Sequence, residues 1–313
     1  MLLEGGHFRR AAEVAMRSII QCPADVASRI LPLFYTRLAC LVLISRQDFA
    51  TQEALPLLEV LATNTHEAHA IIAQIPWELR LLLARLQMVG AADGGRRGIM
   101  TLYLLATEAR AALHDARDAK DSSAIGLWSA RLQDLGFRVA DALVEMGEIE
   151  TTDRHLDSLK GICPSEELQY RKALLRVRLG DSTGAAKSAA KLSDGIRKQS
   201  LEALLHITKG NYSNAIETWQ SLIDEYPNHE LFAQNAAVSM LYTGHIRSTR
   251  EALEDIAERL PMFPALLFNL STVYELCTER AAERKSNIVQ ASADRKPQPV
   301  SGGWEHANTE FKL

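Results

Sequence analysis

Apolar side chains recur through most of the chain at i, i+3, i+4 and i+7, the spacing that lays one face of a helix into a core. β-branched runs are few, and Ala and Leu are plentiful. The pattern is clearest in Ile196–Pro261, where two stretches repeat one another at an offset of 34 residues. In the first, Gly210 makes a turn, Tyr212 and Ala215 open a helix, and Trp219, Leu222 and Pro227 follow. In the second, Gly244, Ile246, Thr249, Leu253, Ile256 and Pro261 hold the corresponding places. A small residue at Ala215 or Thr249 lets two helices cross closely, and a bulky one at Trp219 or Leu253 fills the groove beside it. Proline ends each second helix because it lacks an N–H and clashes with the preceding turn.

That period and those residue types are the tetratricopeptide signature. The expected fold class is all-α, a right-handed α-solenoid of tetratricopeptide-type helix pairs. With Gly147 and Gly180 as earlier turns, the units read Gln133–Ser165, Glu166–Gly195, Ile196–His229 and Glu230–Phe263. Leu33–Leu61 reads as another unit, with Asp48 as an N-cap, and Pro76–Val89 and Ile99–Leu113 as further helices. Thr63–Gln74 reads as a connection or short helix, and Gly90–Gly98 as a loop. The stretch at 114–123 loses its apolar stripe, which predicts a solvated helix end or a flexible insertion. Four regions follow from this: helical pairs at 1–113, a polar insertion at 114–123, repeats with a capping helix at 124–285, and a flexible tail at 286–313. In that tail, KPQPVSGG (296–303) reads as a linker, and Trp304 and Phe311 are candidates to dock back on the repeats. Gly6, Phe8, Ala11, Ala15 and Pro23 match the second half of a repeat, so its first half is expected upstream of Met1, as in a fragment of a longer protein or one whose start was assigned too far downstream.

Charge and composition narrow the function. The formal net charge of −4 supplies no electrostatic footprint for nucleic acid. Cys22, Cys40, Cys163 and Cys277 are far apart and lack CxxC spacing, so free thiols are expected. The longest apolar run, Leu38–Ile44, is seven residues, far short of a membrane span. The opening MLLEGGHFRRAAEVAM lacks the basic-then-apolar order of a secretory signal, and a soluble intracellular protein is the expectation.

Catalytic motifs fare poorly. His66 and His69 in THEAH are three apart, whereas the zinc-binding HExxH helix needs four. GGRRG at Gly94–Gly98 lacks the Lys-Ser/Thr of a nucleotide loop, so Arg96 and Arg97 read as exposed guanidiniums on a rigid turn, available for protein contact. No catalytic, cofactor or metal set is expected. A carboxylate clamp of the kind used by chaperone-binding repeats would need basic and Asn side chains where this chain has Ser200, Leu204, Ala265 and Asn269, and only Asn235 fits. Positions five and thirteen of the first helices instead supply Phe137, Tyr170, Gln234, Tyr242 and Phe268. Such a set suits a hydrophobic peptide, a partner helix or the chain's own tail, or is buried between units.

Four stretches carry a more specific resemblance: GRRGIM (95–100), IGLWSARLQDLGFRVADALVEMGEI (125–149), NAAVSMLYTGHIRSTREALE (235–254) and LLFNLSTVYEL (266–276). With the terminal NTEFKL, they resemble the C-terminal repeat region of the subunit-twelve family of the transport protein particle (TRAPP) complex. That family carries a long segment before its repeats, to which nothing here corresponds. The resemblance implies a non-enzymatic scaffold that contacts other TRAPP subunits, and through them a Rab-type GTPase whose nucleotide exchange those subunits perform. It implies a cytoplasmic location at the early secretory pathway, roles in ER-to-Golgi traffic and autophagy, and membrane association only through the complex. The alternative is a clamp-less peptide-binding co-chaperone or receptor; a small helical hydrolase stands third.

Overall fold

The computed structural model describes residues 2–23, 26–63, 71–90, 93–260 and 262–294. Among these the chain is all-α, with fifteen helices. The chain divides into two compact units, Phe8–Leu168 and Gln169–Leu313, the latter together with Met1–His7.

The N-terminal unit holds α1 (Phe8–Gln21), α2 (Ala27–Leu43), α3 (Gln47–Ala62), α4 (Trp77–Leu86), α5 (Arg96–Asp118), α6 (Ser122–Glu145) and α7 (Ile149–Ser158). Leu38 and Leu41 of α2, Ala50 and Ala54 of α3 and Leu79 and Leu83 of α4 form one core. Leu102 and Leu105 of α5 meet Leu135, Val139 and Leu143 of α6 in another. Trp77 and Trp128 pack edge to face at 5.6 Å on its border, with the Arg131 guanidinium over both rings. Gly98 permits the close approach of α5 to α4, since a Cβ there would lie 2.6 Å from the Ala84 carbonyl.

The C-terminal unit takes in α8 (Ser165–Arg178, which straddles the division), α9 (Ser182–Ala189), α10 (Ile196–Thr208), α11 (Tyr212–Glu225), α12 (Glu230–Tyr242), α13 (Ile246–Arg259), α14 (Pro264–Cys277) and α15 (Ala281–Asp294). The repeat residues are its core. Ala215, Trp219, Leu222, Thr249, Leu253 and Ile256 are each no more than 1% exposed. Thr249 stays buried because its hydroxyl donates to the Ala237 and His245 carbonyls at 3.2 and 3.0 Å. The α15 cap is held by polar contacts as well as by Ile288. Tyr274 Oη donates to Glu254 Oε1 at 2.9 Å, and Arg284 Nη1 reaches the same oxygen at 3.4 Å. Burial, then the Glu254 carboxylate, pushes the Tyr274 phenol well above its ordinary pKa.

One turn design recurs. At Gly6, Ser45, Lys120, Gly147, Gly180, Gly210 and Gly244 the backbone enters the left-handed region. Each of these residues donates its N–H to the carbonyl three back, and the next residue to the carbonyl five back. This is the Schellman arrangement, which at every one of these turns except Gly6 satisfies the last carbonyls of a preceding helix.

The structure departs from the sequence reading at several places. Of the two readings of 114–123 the structure carries the solvated helix end and not the insertion: 114–118 finishes α5, Lys120 makes the recurrent turn, and Asp121 caps α6 by accepting from Ser123 and Ala124 N–H. The first helix of the unit expected from Gln133 begins earlier, since α6 starts at Ser122. The capping helix runs to Asp294, past the expected boundary at 285, because Ile288 packs on the α13–α14 core. Asp48 lies inside the first turn of α3, whose N-cap is Arg46. His66, His69, Pro261, the 296–303 linker, Trp304 and Phe311 lie outside the described residues. None of the four cysteines forms a disulfide among the described residues, and Cys40 and Cys163 are buried.

Candidate interaction surface

The clearest candidate surface lies on α12 and α14, the first helices of two successive repeats. Phe232, Ala233, Ala236 and Ala237 of α12 turn into the core, as do Leu266, Leu267, Leu270 and Val273 of α14. A helix that buries this stripe must present the residues between to the other side. On α12 those are Leu231, Gln234, Val238 and Tyr242; 34 residues on, α14 places Ala265, Phe268, Thr272 and Leu276 at the same offsets. Leu231 is 47%, Tyr242 67%, Phe268 48% and Leu276 59% exposed. Large apolar groups left in water on the first helices of successive repeats cost solvation that a partner would recover.

Local contacts order part of this face. The Tyr242 ring stacks on Tyr212 at 5.0 Å, nearly parallel, joining the end of α12 to the start of α11. Gln234 is half-buried, and its Oε1 has no hydrogen-bond donor among the described residues. An enclosed acceptor without a donor is destabilising.

The other sequence candidates lie elsewhere. Tyr170 on α8 is half-buried beneath the Arg197 guanidinium, 5.0 Å from its ring. Phe137 on α6 is half-buried in the N-terminal unit, so it belongs to a different unit from the other four. Arg96 and Arg97 are exposed but form the first turn of α5 instead of a loop; Gly94 and Gly95, both at positive φ, make the bend before it. Asp93 fastens that bend, accepting from Gly95 and Arg97 N–H at 3.0 and 3.1 Å. Its carboxylate also offsets two cations at the positive end of a helix. Leu276 was missed by the sequence reading although its signal was present: it occupies position thirteen of its helix, as Tyr242 does.

Among the described residues there is no cluster of three or more metal-ligating side chains, and no helix is long and apolar enough to cross a membrane.

Comparison with known proteins agrees with the repeat reading. The tetratricopeptide repeat family model matches residues 199–229, which span α10 and α11. Trafficking protein particle complex subunit 12 from Homo sapiens is 25% identical over 232 residues, covering 69% of this chain and 29% of the relative. The same subunit from Mus musculus is 26% identical over 233 residues, covering 69% of this chain and 27% of the relative. The chain thus spans under a third of the length of these relatives. A solved tetratricopeptide repeat protein from Parabacteroides merdae ATCC 43184 superposes with a TM-score of 0.47 at 15% identity, covering 80% of this chain and 91% of that one. The chain is all-α, carries a tetratricopeptide repeat at residues 199–229 and is similar over 69% of its length to subunit 12 of the trafficking protein particle complex.

Proposed function

We propose that this protein is a non-enzymatic scaffold subunit of a TRAPP-type vesicle-tethering complex. It holds other subunits, which act on a Rab-type GTPase, at the cytoplasmic side of the early secretory pathway, in ER-to-Golgi traffic and autophagy. The observation that carries this reading is the set of large apolar side chains exposed on the outward stripes of α12 and α14, in a chain similar over 69% of its length to a subunit of a multiprotein particle. In mechanism the repeats act by display. Helix pairs bury one stripe on their neighbours, and the opposite stripe, with Gln234, Tyr242 and Phe268, is left for a partner. Tyr170, Phe137 and the Arg96–Arg97 turn are further contact candidates on other helices.

The test is affinity capture of the tagged full chain from cells, read by mass spectrometry, beside a Tyr242→Glu/Phe268→Glu variant. Both side chains are exposed, so the variant keeps its helical circular dichroism. TRAPP subunits should co-purify with the parent and fall by about tenfold or more with the variant, since placing two charges against an apolar partner surface costs several kcal/mol. Capture of chaperones without TRAPP subunits would overturn the assignment. Equal capture by a folded variant would remove this face from it.

A further inference from the structure

The N-terminal unit holds a cavity of about 370 Å³ between α5, α6 and the turn that follows α7. Its floor is apolar, built from Ala106, Leu113, Leu135 and Val139, with Leu159 behind them. The third wall is fixed in place: His155 Nε2 donates to the Gly136 carbonyl at 2.9 Å, which ties α7 to α6. Gly136 keeps the two helices close, since a Cβ there would come within 2.8 Å of the Leu159 side chain.

The rim is of opposite character to the chain as a whole. Arg110 and Arg117 both line the opening, both are exposed, and neither has an ion pair or hydrogen bond among the described residues. No lining residue is acidic, although the chain carries a formal charge of −4. Neighbouring arginines differ. Arg80 is paired with Glu108, Arg85 with Glu145 and Arg138 with Asp134, while Arg131 lies over two indole rings. Two unpaired cations beside an apolar cavity, with exposed Tyr103 and Ile162 lining it, define what complements them.

We propose that this cavity docks an acidic amphipathic helix of a partner protein, with carboxylates at i and i+7 on Arg110 and Arg117 and a large apolar side chain at i+3 or i+4 in the cavity. The spacing follows from geometry. Arg110 and Arg117 are seven residues apart on one face of α5, about 10.5 Å at 1.5 Å per residue. A helix alongside repeats that distance between its own i and i+7 residues, with i+3 and i+4 on the same face between them. Carboxylate–guanidinium pairs then set register, and burial of the central side chain supplies most of the affinity. An anionic membrane suits the site less well, because polybasic membrane sites use roughly four to eight cations and a flat approach, whereas here two flank a recess. This site lies on different residues from the α12–α14 face and does not depend on it.

The probe is a fluorescein-labelled helical peptide of about five turns, with Glu at i and i+7 and Leu and Phe at i+3 and i+4, titrated with the full chain and read by anisotropy. Saturable binding is expected, weakening as salt rises. Gln at both acidic positions, or Arg110→Gln/Arg117→Gln in the protein, should weaken it about tenfold or more. Ser129→Trp, which fills the mouth of the cavity, should abolish binding while circular dichroism is unchanged, and Tyr242→Glu should leave binding as it was. The proposal is overturned by equal binding of the Gln peptide or equal binding to the doubly substituted protein. It is equally overturned if a peptide with a central proline binds as well, or if binding occurs only to phosphatidylserine vesicles.

Discussion

The recurrent turn makes a prediction of opposite sign at two places. Gly210 and Ser45 hold the same left-handed conformation, φ +74° and +61°, with the same pair of backbone hydrogen bonds. For an L-residue with a side chain this conformation costs about 1–2 kcal/mol, a strain that Ser45 carries and Gly210 does not. Ser45→Gly removes the strain and gives back about 0.4–1 kcal/mol through the greater freedom of glycine in the unfolded chain. The expected net gain is about 0.5–1 kcal/mol. Gly210→Ala runs the same exchange in reverse. A Cβ at Gly210 meets no atom within 4 Å, so no steric clash enters and the loss is of the same size. Urea unfolding followed by circular dichroism should show the midpoint rising by about 0.2–0.5 M for Ser45→Gly and falling comparably for Gly210→Ala, with m unchanged. Because the two residues lie in different compact units, hydrogen exchange of the amides flanking each turn locates the change. A lowered midpoint for Ser45→Gly, or a raised one for Gly210→Ala, would refute the claim that backbone conformation decides both.

Two further outcomes are expected. Trp219 is fully buried and stacks on Phe232 at 5.9 Å, yet its Nε1–H has no acceptor among the described residues, so Trp219→Ala should cost about 3–5 kcal/mol in urea unfolding. Trp219→Phe, which keeps the stack and removes the orphan donor, should cost well under half of that. The second outcome concerns acid. The hydrogen bond from Arg80 holds the Glu108 carboxyl below the ordinary carboxylate range, so the stability of the α4–α5 contact is fully present above the ordinary value and is lost as pH falls through the lowered one. Glu108→Gln should flatten the acid limb of a melting-temperature profile, and an unchanged limb would place that stability elsewhere.

The parts of the fold legible in the chain were those where packing leaves little choice of side chain. Ala215, Trp219 and Leu222 and their counterparts 34 residues later each fill a defined space between helices, so size and spacing alone revealed them. The turns were legible only where glycine marked them, and Ser45 and Lys120, which adopt the same conformation with a side chain, passed unnoticed. Overlooking Lys120 made 114–123 resemble an insertion. Its apolar stripe in fact continues through Leu113 and Ala116, both buried, but alanine contributes so little hydrophobicity that the charged residues around it dominate the local pattern. Asp121 held the corrective signal, an N-cap directly before the small residues that open α6.

The candidate surface was harder to read for a related reason. A repeat dictates where its backbone goes and which face is buried, whereas the outward residues are free to differ between copies. Here they do differ: Leu231 corresponds to Ala265, Gln234 to Phe268, Val238 to Thr272 and Tyr242 to Leu276. A large side chain on one helix faces a smaller or differently polar one at the same offset on the next. A partner spanning both helices therefore meets two unlike surfaces, and slipping by one repeat would set its apolar groups against Gln234 or Thr272. An apolar group set against the half-buried Gln234 amide would shut water away from it, at a cost of about 1–3 kcal/mol. A partner bound across α12 and α14 would thus have one favoured register, although the scaffold beneath it is periodic.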